Sequence, residues 1–202
     1  MQRLPLSAPF WVTSDSHWNH GNIQIYQERP ANHNELMVER WQQAVPEDGA
    51  VLHLGDLHLG KKEDMPAIAR ALTGARKLLL LGNHDRTGSK GVEWYESLGF
   101  EVLGDGPLVW QYGAWTVTFK HEPYWPAIQY DPAQNLMVHG HVHRASRENR
   151  RMINVSVEVT DYRPVEITAL LDERIAELAA ADARPRKKPV RPFSGELRYD
   201  HR

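Results

Sequence analysis

Four consecutive leucines, Leu78 to Leu81, run directly into Gly82, Asn83, His84, Asp85 and Arg86. No other feature limits the fold of this chain as tightly. An unbroken apolar run of strand length has no polar face to turn to water. It must be covered on both faces, as a central strand of a parallel sheet is. It then releases a polar cluster at one end, with Gly82 expected to let the backbone turn sharply. Residues 10–15 (FWVTSD) and 50–56 (AVLHLGD) repeat the design, each a short β-forming run ending at an aspartate. Between them, residues 34–45 place Leu36, Met37, Arg40, Trp41 and Ala44 on one helical stripe, with Asn34 as the expected N-cap and Pro46 as the stop. Residues 63–72 form a second expected helix and residues 77–83 the third strand. Strand, helix, strand, helix, strand predicts a parallel α/β sheet.

After a short helix over residues 92–99 the pattern changes. Residues 107–121 read as a hairpin turning at Gly113-Ala114. Residues 135–143, 151–159 and 164–171 read as further strands without helices between them, so the second half is expected to be mixed or largely antiparallel. The fold class is therefore α/β: two stacked mixed sheets, parallel in the centre and antiparallel in the second half, flanked by helices in a four-layer sandwich. Residues 1–171 form the domain. Residues 172–202 add an alanine-rich helix and a basic, proline-rich tail, extended or disordered.

Residues 184–202 carry seven Lys/Arg against two Asp/Glu, although the whole chain has a net charge of -2. The body is thus acidic and not a basic nucleic-acid surface, and something other than Lys and Arg must attract any phosphate. The 11 histidines among 202 residues hint at what does. The absence of cysteine excludes disulfides and thiolate metal sites and fits a reducing compartment. Neither a signal-like N-terminus nor a run near the ~18 apolar residues of a membrane span is present. A soluble cytoplasmic protein without membrane partners is expected.

Each expected central strand ends in residues that bind metals: Asp15-Ser16-His17, Gly55-Asp56, Gly82-Asn83-His84-Asp85, His121, and Gly140-His141-Val142-His143. In open α/β sheets, sites form outside the carboxyl ends of the strands, so these segments converge. The donors are carboxylates, imidazoles and an amide oxygen, which suit Mn2+, Fe or Zn2+ rather than Ca2+. Asp15 and His17, like His141 and His143, are spaced i, i+2 and share a face of an extended chain. These are too many ligands for one tetrahedral ion. Two ions about 3.5–4 Å apart, bridged by a carboxylate, fit better.

D-x-H, G-D, G-N-H-D, a lone His and G-H-x-H, in that order, resemble the calcineurin-like metallophosphoesterases over residues 10–171. TSDSHWNHGNI (residues 13–23) is similar to a compact bacterial and phage branch of that superfamily. The resemblance implies a hydrolase acting on phosphodiesters, or on phosphomonoesters, by in-line attack of a metal-bridging hydroxide. Asp15, His17, Asp56 and His143 would hold one ion. Asp56 would bridge to a second, held also by Asn83, His121 and His141. The ions would be Mn2+, with Fe, Zn, Ni or Co as alternatives. His84 would serve the leaving oxygen as general acid, Arg86 would offset phosphoryl charge, and Asp85 would orient the loop or His84.

Other residues keep two readings. Asn19, His20 and Arg144 are candidate substrate contacts, while His20 could instead cap a helix. His53 is read as a core or ligand-supporting histidine, His139 as supporting or packing, and His58 as a rim residue. His33 and His201 are read as solvent residues. Tyr124 and Trp125 form either an aromatic wall for a base or sugar, or packing. Arg144, Arg147, Arg150 and Arg151 form a solvated hairpin tip or reach a phosphate. Trp110, Tyr112 and Trp115 belong to a dimer patch or to the core. Beside the phosphoesterase reading stand two others. One is a nucleic-acid end-processing phosphatase or nuclease using the basic tail. The other is a non-catalytic scaffold, which would typically have lost His84 or several ligands. The partner in the leading reading is a phosphate ester, with nucleotides and nucleic acids as candidates, and the oligomeric state is open.

Overall fold

The computed structural model describes residues 2–123, 134–145 and 150–183. Tyr124, Trp125, Arg147, His201 and the basic tail lie outside them. A two-residue strand, β1 (Gln2–Arg3), precedes the first buried strand, β2 (Trp11–Thr13). Helices α1 (Ile23–Gln27) and α2 (His33–Ala44) lead to β3 (Ala50–His53). A 3-10 turn at Lys62–Asp64 runs into α3 (Met65–Ala71), followed by β4 (Arg76–Leu79), α4 (Ser89–Ser97) and β5 (Phe100–Val102). The hairpin β6 (Leu108–Tyr112) and β7 (Trp115–Lys120) precedes β8 (Asn135–His139), β9 (Met152–Asn154), β10 (Val165–Glu166) and α5 (Ile167–Asp182).

The leucine run behaves as its composition demands. Leu78 and Leu80 pack with Phe10, Leu52, Phe119 and Val138 between the two sheets. Leu79 and Leu81 pack on the other face with Met37, Trp41 and Tyr95 under the helices. Burying each such side chain is worth about 1.5–3 kcal/mol. Beyond the end of β4, the Leu80 N–H donates to His53 O at 2.9 Å and the Leu81 N–H to Gly104 O at 2.7 Å. The extended chain stays fastened on both sides up to Gly82.

One sheet has the order β10-β2-β3-β4-β5, with β2 to β5 parallel and β10 antiparallel to β2. The other has the order β1-β6-β7-β8-β9. Two mixed sheets with helices are as expected, but the second half is not largely antiparallel. Only β6 and β7 pair antiparallel there, whereas β7, β8 and β9 run parallel. The segments joining these strands are about a dozen residues each, long enough for the crossovers that parallel pairing requires. This parallel run brings the ends of β7 and β8 to the same edge.

Three local expectations are corrected. Helix α2 begins at His33 behind Asn32, and no side chain caps it. Asn34 instead pairs with Asn19: its Nδ2 donates to Asn19 Oδ1 at 3.2 Å and its Oδ1 accepts the Asn19 N–H at 3.3 Å. His33 is buried rather than solvated, with Nδ1 against Pro30 O at 3.2 Å, and burial lowers its pKa. Of residues 164–171 only Val165 and Glu166 are strand; helix begins at Ile167 and runs past Leu171. Ile167, Leu171 and Leu178 fill the core from it. Glu166 decides the outcome, because its carboxylate accepts the N–H groups of Thr168 and Ala169, both at 2.9 Å. Those donors have no partner inside the helix. Glu166→Ala is expected to cost about 1 kcal/mol, lowering the melting temperature by about 2–4 °C in a circular-dichroism melt.

Trp110 is core, edge-on to Phe10 at 5.2 Å, and Tyr112 Oη donates to Asp172 Oδ1 at 2.7 Å. Trp115 faces the Arg151 guanidinium at 5.6 Å. The hairpin aromatics thus bind the second sheet to α5 and to its own neighbour. Among the described residues no helix is long and apolar enough to cross a membrane.

Candidate metal centre

The parallel strands deliver their C-terminal residues to one edge. Asp15 and His17 follow β2, Asp56 follows β3, Asn83 to Asp85 follow β4, His121 follows β7, and His141 and His143 follow β8. Donor atoms of Asp15, His17 and His143 lie within 4.8 Å of one another, as do those of Asp15, Asp56 and His121. Either group could hold a metal ion. The two groups share Asp15, and Asp56 of the second also approaches the first, its Oδ2 3.5 Å from His17 Nε2 and 3.3 Å from His121 Nε2. Asn83 Oδ1 lies 2.9 Å from both His121 Nε2 and His141 Nδ1. All seven residues expected as ligands are therefore drawn into one cluster.

The backbone is bent hard to achieve this. Asp15 (φ 58), His17 (φ 44), Asp56 (φ 55), His141 (φ 70) and His143 (φ 49) all sit in the left-handed region. For residues with a side chain that conformation costs about 1–3 kcal/mol each and persists only where surroundings impose it. The restraints are visible. Asp15 Oδ2 accepts the His141 N–H at 2.9 Å and the Ser156 hydroxyl at 2.8 Å. Asp85 is buried, and its two oxygens accept four bonds: Asp56 N–H at 2.7 Å, Gly82 N–H at 2.9 Å, Leu57 N–H at 3.0 Å and Tyr95 Oη at 2.9 Å. Burial nevertheless pushes its pKa up. Of the two tasks expected of it, Asp85 performs the first, fastening the loop after β3 to the loop after β4.

Gly82 is required for a reason other than a sharp turn. A Cβ there would lie 2.5 Å from Asp56 N and overlap Asp56 Oδ1. The glycine lets two ligand loops touch. Gly140 does the same against Ser14 and Asp15. Gly82→Ala is expected to displace Asp56, costing about 1–3 kcal/mol of stability in urea unfolding. Calorimetric titration should also show weaker Mn2+ binding.

The electrostatics suit a cation. Both ring nitrogens of His17 are buried and neither has a hydrogen-bond partner. Burial lowers the His17 pKa to about 3, outweighing the nearby Asp56, so the ring is neutral and its lone pair free. An unpartnered buried imidazole is costly unless something else occupies it, and a divalent ion fits. Burial also opposes charge on Asp56, but the hydrogen bond and charge of His121 hold its pKa down to about 2. Burial works against His121 in turn, yet the Asp56 hydrogen bond and the Asp15 and Asp56 charges raise its pKa. His121 Nδ1 donates to Leu54 O at 2.9 Å, which aims Nε2 into the cluster.

The other expected residues take varied positions. The His84 N–H donates to Asp56 Oδ1 at 2.8 Å, while its ring is exposed with its centroid 5.6 Å from that of His17. Arg86 is exposed; its N–H donates to Tyr95 Oη at 3.2 Å and its charge acts on His58. The His20 ring stands 6.0 Å from that of His17 and 6.0 Å from exposed Tyr26. The Asn19 side chain is engaged by Asn34. Arg144 donates to Gln27 O at 3.2 Å and Tyr162 Oη at 3.5 Å. His53 is a buried fastener between Ser16 Oγ (2.9 Å) and the Gly55 N–H (3.2 Å), with its pKa lowered to about 3 by burial. His139 is buried and donates to Gly140 O at 2.8 Å. His58 is not a rim residue: it is buried, edge-on to Trp94 at 5.1 Å, with Nε2 on Lys61 O at 3.2 Å. A crevice opens beside Asn83 and His121, lined also by Thr87, Asp105, Lys120 and Glu122.

Three contributors escape the sequence reading: Arg29, Glu158 and Ser156. Arg29 and Glu158 form an ion pair whose side chains are fully buried. They lie 129 residues apart, and no local spacing announces them.

A family model described as calcineurin-like phosphoesterase matches residues 8–190. The chain is 29% identical over 179 residues to an uncharacterized protein of Methanocaldococcus jannaschii, the match covering 80% of this chain and 88% of that protein. Its fold is similar to the crystal structure of a protein of unknown function from Aquifex aeolicus, with a TM-score of 0.65 and 25% identity. That match covers 82% of this chain and 99% of the other.

Proposed function

Because the chain belongs to the calcineurin-like phosphoesterases, we propose that it hydrolyses phosphate esters with two divalent ions, and phosphodiesters in preference to monoesters. One observation carries this reading: seven donor residues, Asp56 among them, gather in one cluster, and both buried ring nitrogens of His17 lack a hydrogen-bond partner. Mn2+ is the first choice, with Fe, Zn, Ni or Co as alternatives. Bound ions of this kind lower the pKa of water and so supply the nucleophile, and they offset charge on phosphoryl oxygens. Asp15, His17, Asp56 and His143 would hold one ion, and Asp56, Asn83, His121 and His141 the other.

The rest falls to the side chains. His84 would hold a proton near the phosphoryl group and release it to the leaving oxygen as the P–O bond breaks. Arg86 would pair with a non-bridging oxygen. The crevice bearing Thr87 and Lys120 would take one ester substituent. His20, with Asn19 and Arg144, would border the opposite rim. The open setting favours diesters, including nucleotides, and a cytoplasmic location accompanies the reading.

The test is a panel of bis(p-nitrophenyl) phosphate, p-nitrophenyl phosphate, 2′,3′-cyclic nucleotides and short oligonucleotides, each with Mn2+. Diester turnover should exceed monoester turnover. A protein that binds Mn2+ and hydrolyses none of them is the scaffold instead. His84→Ala is expected to lower turnover roughly 10²-fold with Mn2+ content unchanged, since only the backbone of His84 touches Asp56.

A further inference from the structure

We propose that Arg29 and Glu158 are positioning residues for one half of the metal centre, the half formed by Asp15, His17 and His143, and that disabling them removes one ion while leaving the other. The inference rests on the two-ion reading above. Arg29 follows α1 and Glu158 lies in the turns after β9. Glu158 Oε1 accepts from Arg29 Nε at 2.8 Å, from Arg29 Nη2 at 2.5 Å and from His143 Nδ1 at 2.9 Å. The same guanidinium donates from Nη1 to Ser16 O at 2.6 Å and from Nη2 to Asp15 O at 2.5 Å.

Each bond has a consequence for a ligand. A carboxylate paired with a guanidinium can only accept, so His143 must carry its proton on Nδ1. That leaves Nε2 as the nitrogen available to an ion and fixes the plane of the ring. At the other end, Arg29 grips two successive carbonyls of the loop that presents Asp15 and His17, both in left-handed conformation. One fork thus ties the first ligand loop of the chain to the last. The described bonds of the pair reach none of Asn83, His121 and His141 directly; they touch that half only through the backbone of Asp15, whose carboxylate accepts the His141 N–H at 2.9 Å.

Stability alone does not explain the pair. Two well-packed apolar side chains would commonly stabilise a buried position as well or better. Lysine would keep the charge but lacks the planar fork that serves the Glu158 carboxylate and two carbonyls together. What this arrangement supplies is direction.

The experiment uses full-length protein stripped by chelation and titrated with Mn2+ calorimetrically, with bound metal counted by elemental analysis. Wild type should take two ions per chain. In Glu158→Ala one site should weaken about 10–100-fold while the other stays within about threefold, so the count falls to one at Mn2+ levels that fill the wild type. Arg29→Lys should show the same loss. Glu158→Gln keeps an acceptor for His143 and should fall between wild type and Glu158→Ala; it also serves if the alanine variant does not fold. Melting of the metal-free forms separates the two roles. Variants that melt lower yet bind two ions with wild-type affinity overturn the proposal, and so does equal weakening of both sites. A wild type that binds no ion overturns the proposed function instead.

Discussion

Asp56→Ala is expected to empty the metal centre and lower phosphoesterase turnover by roughly 10³-fold. Asp56 is near imidazoles of both donor groups, with Oδ2 3.5 Å from His17 and 3.3 Å from His121. Its Oδ1 accepts the His84 N–H at 2.8 Å, so the variant also frees the loop that carries His84. Metal assistance to phosphoryl transfer is worth several kcal/mol, and each ~1.4 kcal/mol is tenfold in rate. Elemental analysis should find both ions depleted. A variant retaining two ions and wild-type turnover would remove Asp56 from the bridging position. A pH signature accompanies the loss. The folded-state pKa of Asp56 is depressed to about 2, so the stability it contributes is present above the ordinary carboxylate pKa of 3.8 and lost as pH falls through 2. In metal-free protein, the stability gap between wild type and Asp56→Asn should narrow across that window in urea titrations.

Arg29→Met is expected to destabilise the protein by about 3–5 kcal/mol, the usual cost of leaving one partner of a buried ion pair uncompensated. The melting temperature should drop by about 6–20 °C. Methionine fills much of the arginine volume, so the cavity contribution is small. What is lost is charge and hydrogen bonds: Glu158 would be stranded in a fully buried position, and the carbonyls of Asp15 and Ser16 would lose their donor. The double variant Arg29→Met/Glu158→Gln should recover part of the loss because it removes the orphaned charge. If the double variant is no more stable than Arg29→Met, the penalty lies in the carbonyls rather than in Glu158.

The candidate cluster could be read from sequence because each expected ligand is covalently next to its own mount. An apolar run that stops at Asp15, Asp56 or Asn83 reports both the strand and what the strand presents. The supports could not be read this way. Arg29 and Glu158 meet only after both sheets have formed, and an arginine before a proline resembles any loop arginine. His33 lies in a polar stretch, yet the packing of α2 buries it. Residues 164–171 alternate in a manner that suits strand and helix equally, and the cap formed by Glu166 resolves it. Gly82 was legible as necessary, but its reason, contact with Asp56 from the neighbouring strand, is tertiary. The parallel run of β7, β8 and β9 was hidden because their connections carry no helical periodicity to mark a crossover.

The five left-handed ligand positions bear on how this sequence can drift. Glycine would sit there with less strain than aspartate or histidine. Relief of that strain would offset only part of what such a change discards, because the same side chains hold neighbouring loops: Asp15 accepts from His141 and Ser156, Asp56 from His84, and His143 meets Glu158. A chain holding aspartate and histidine at all five carries backbone strain that its own loop-to-loop bonds must offset.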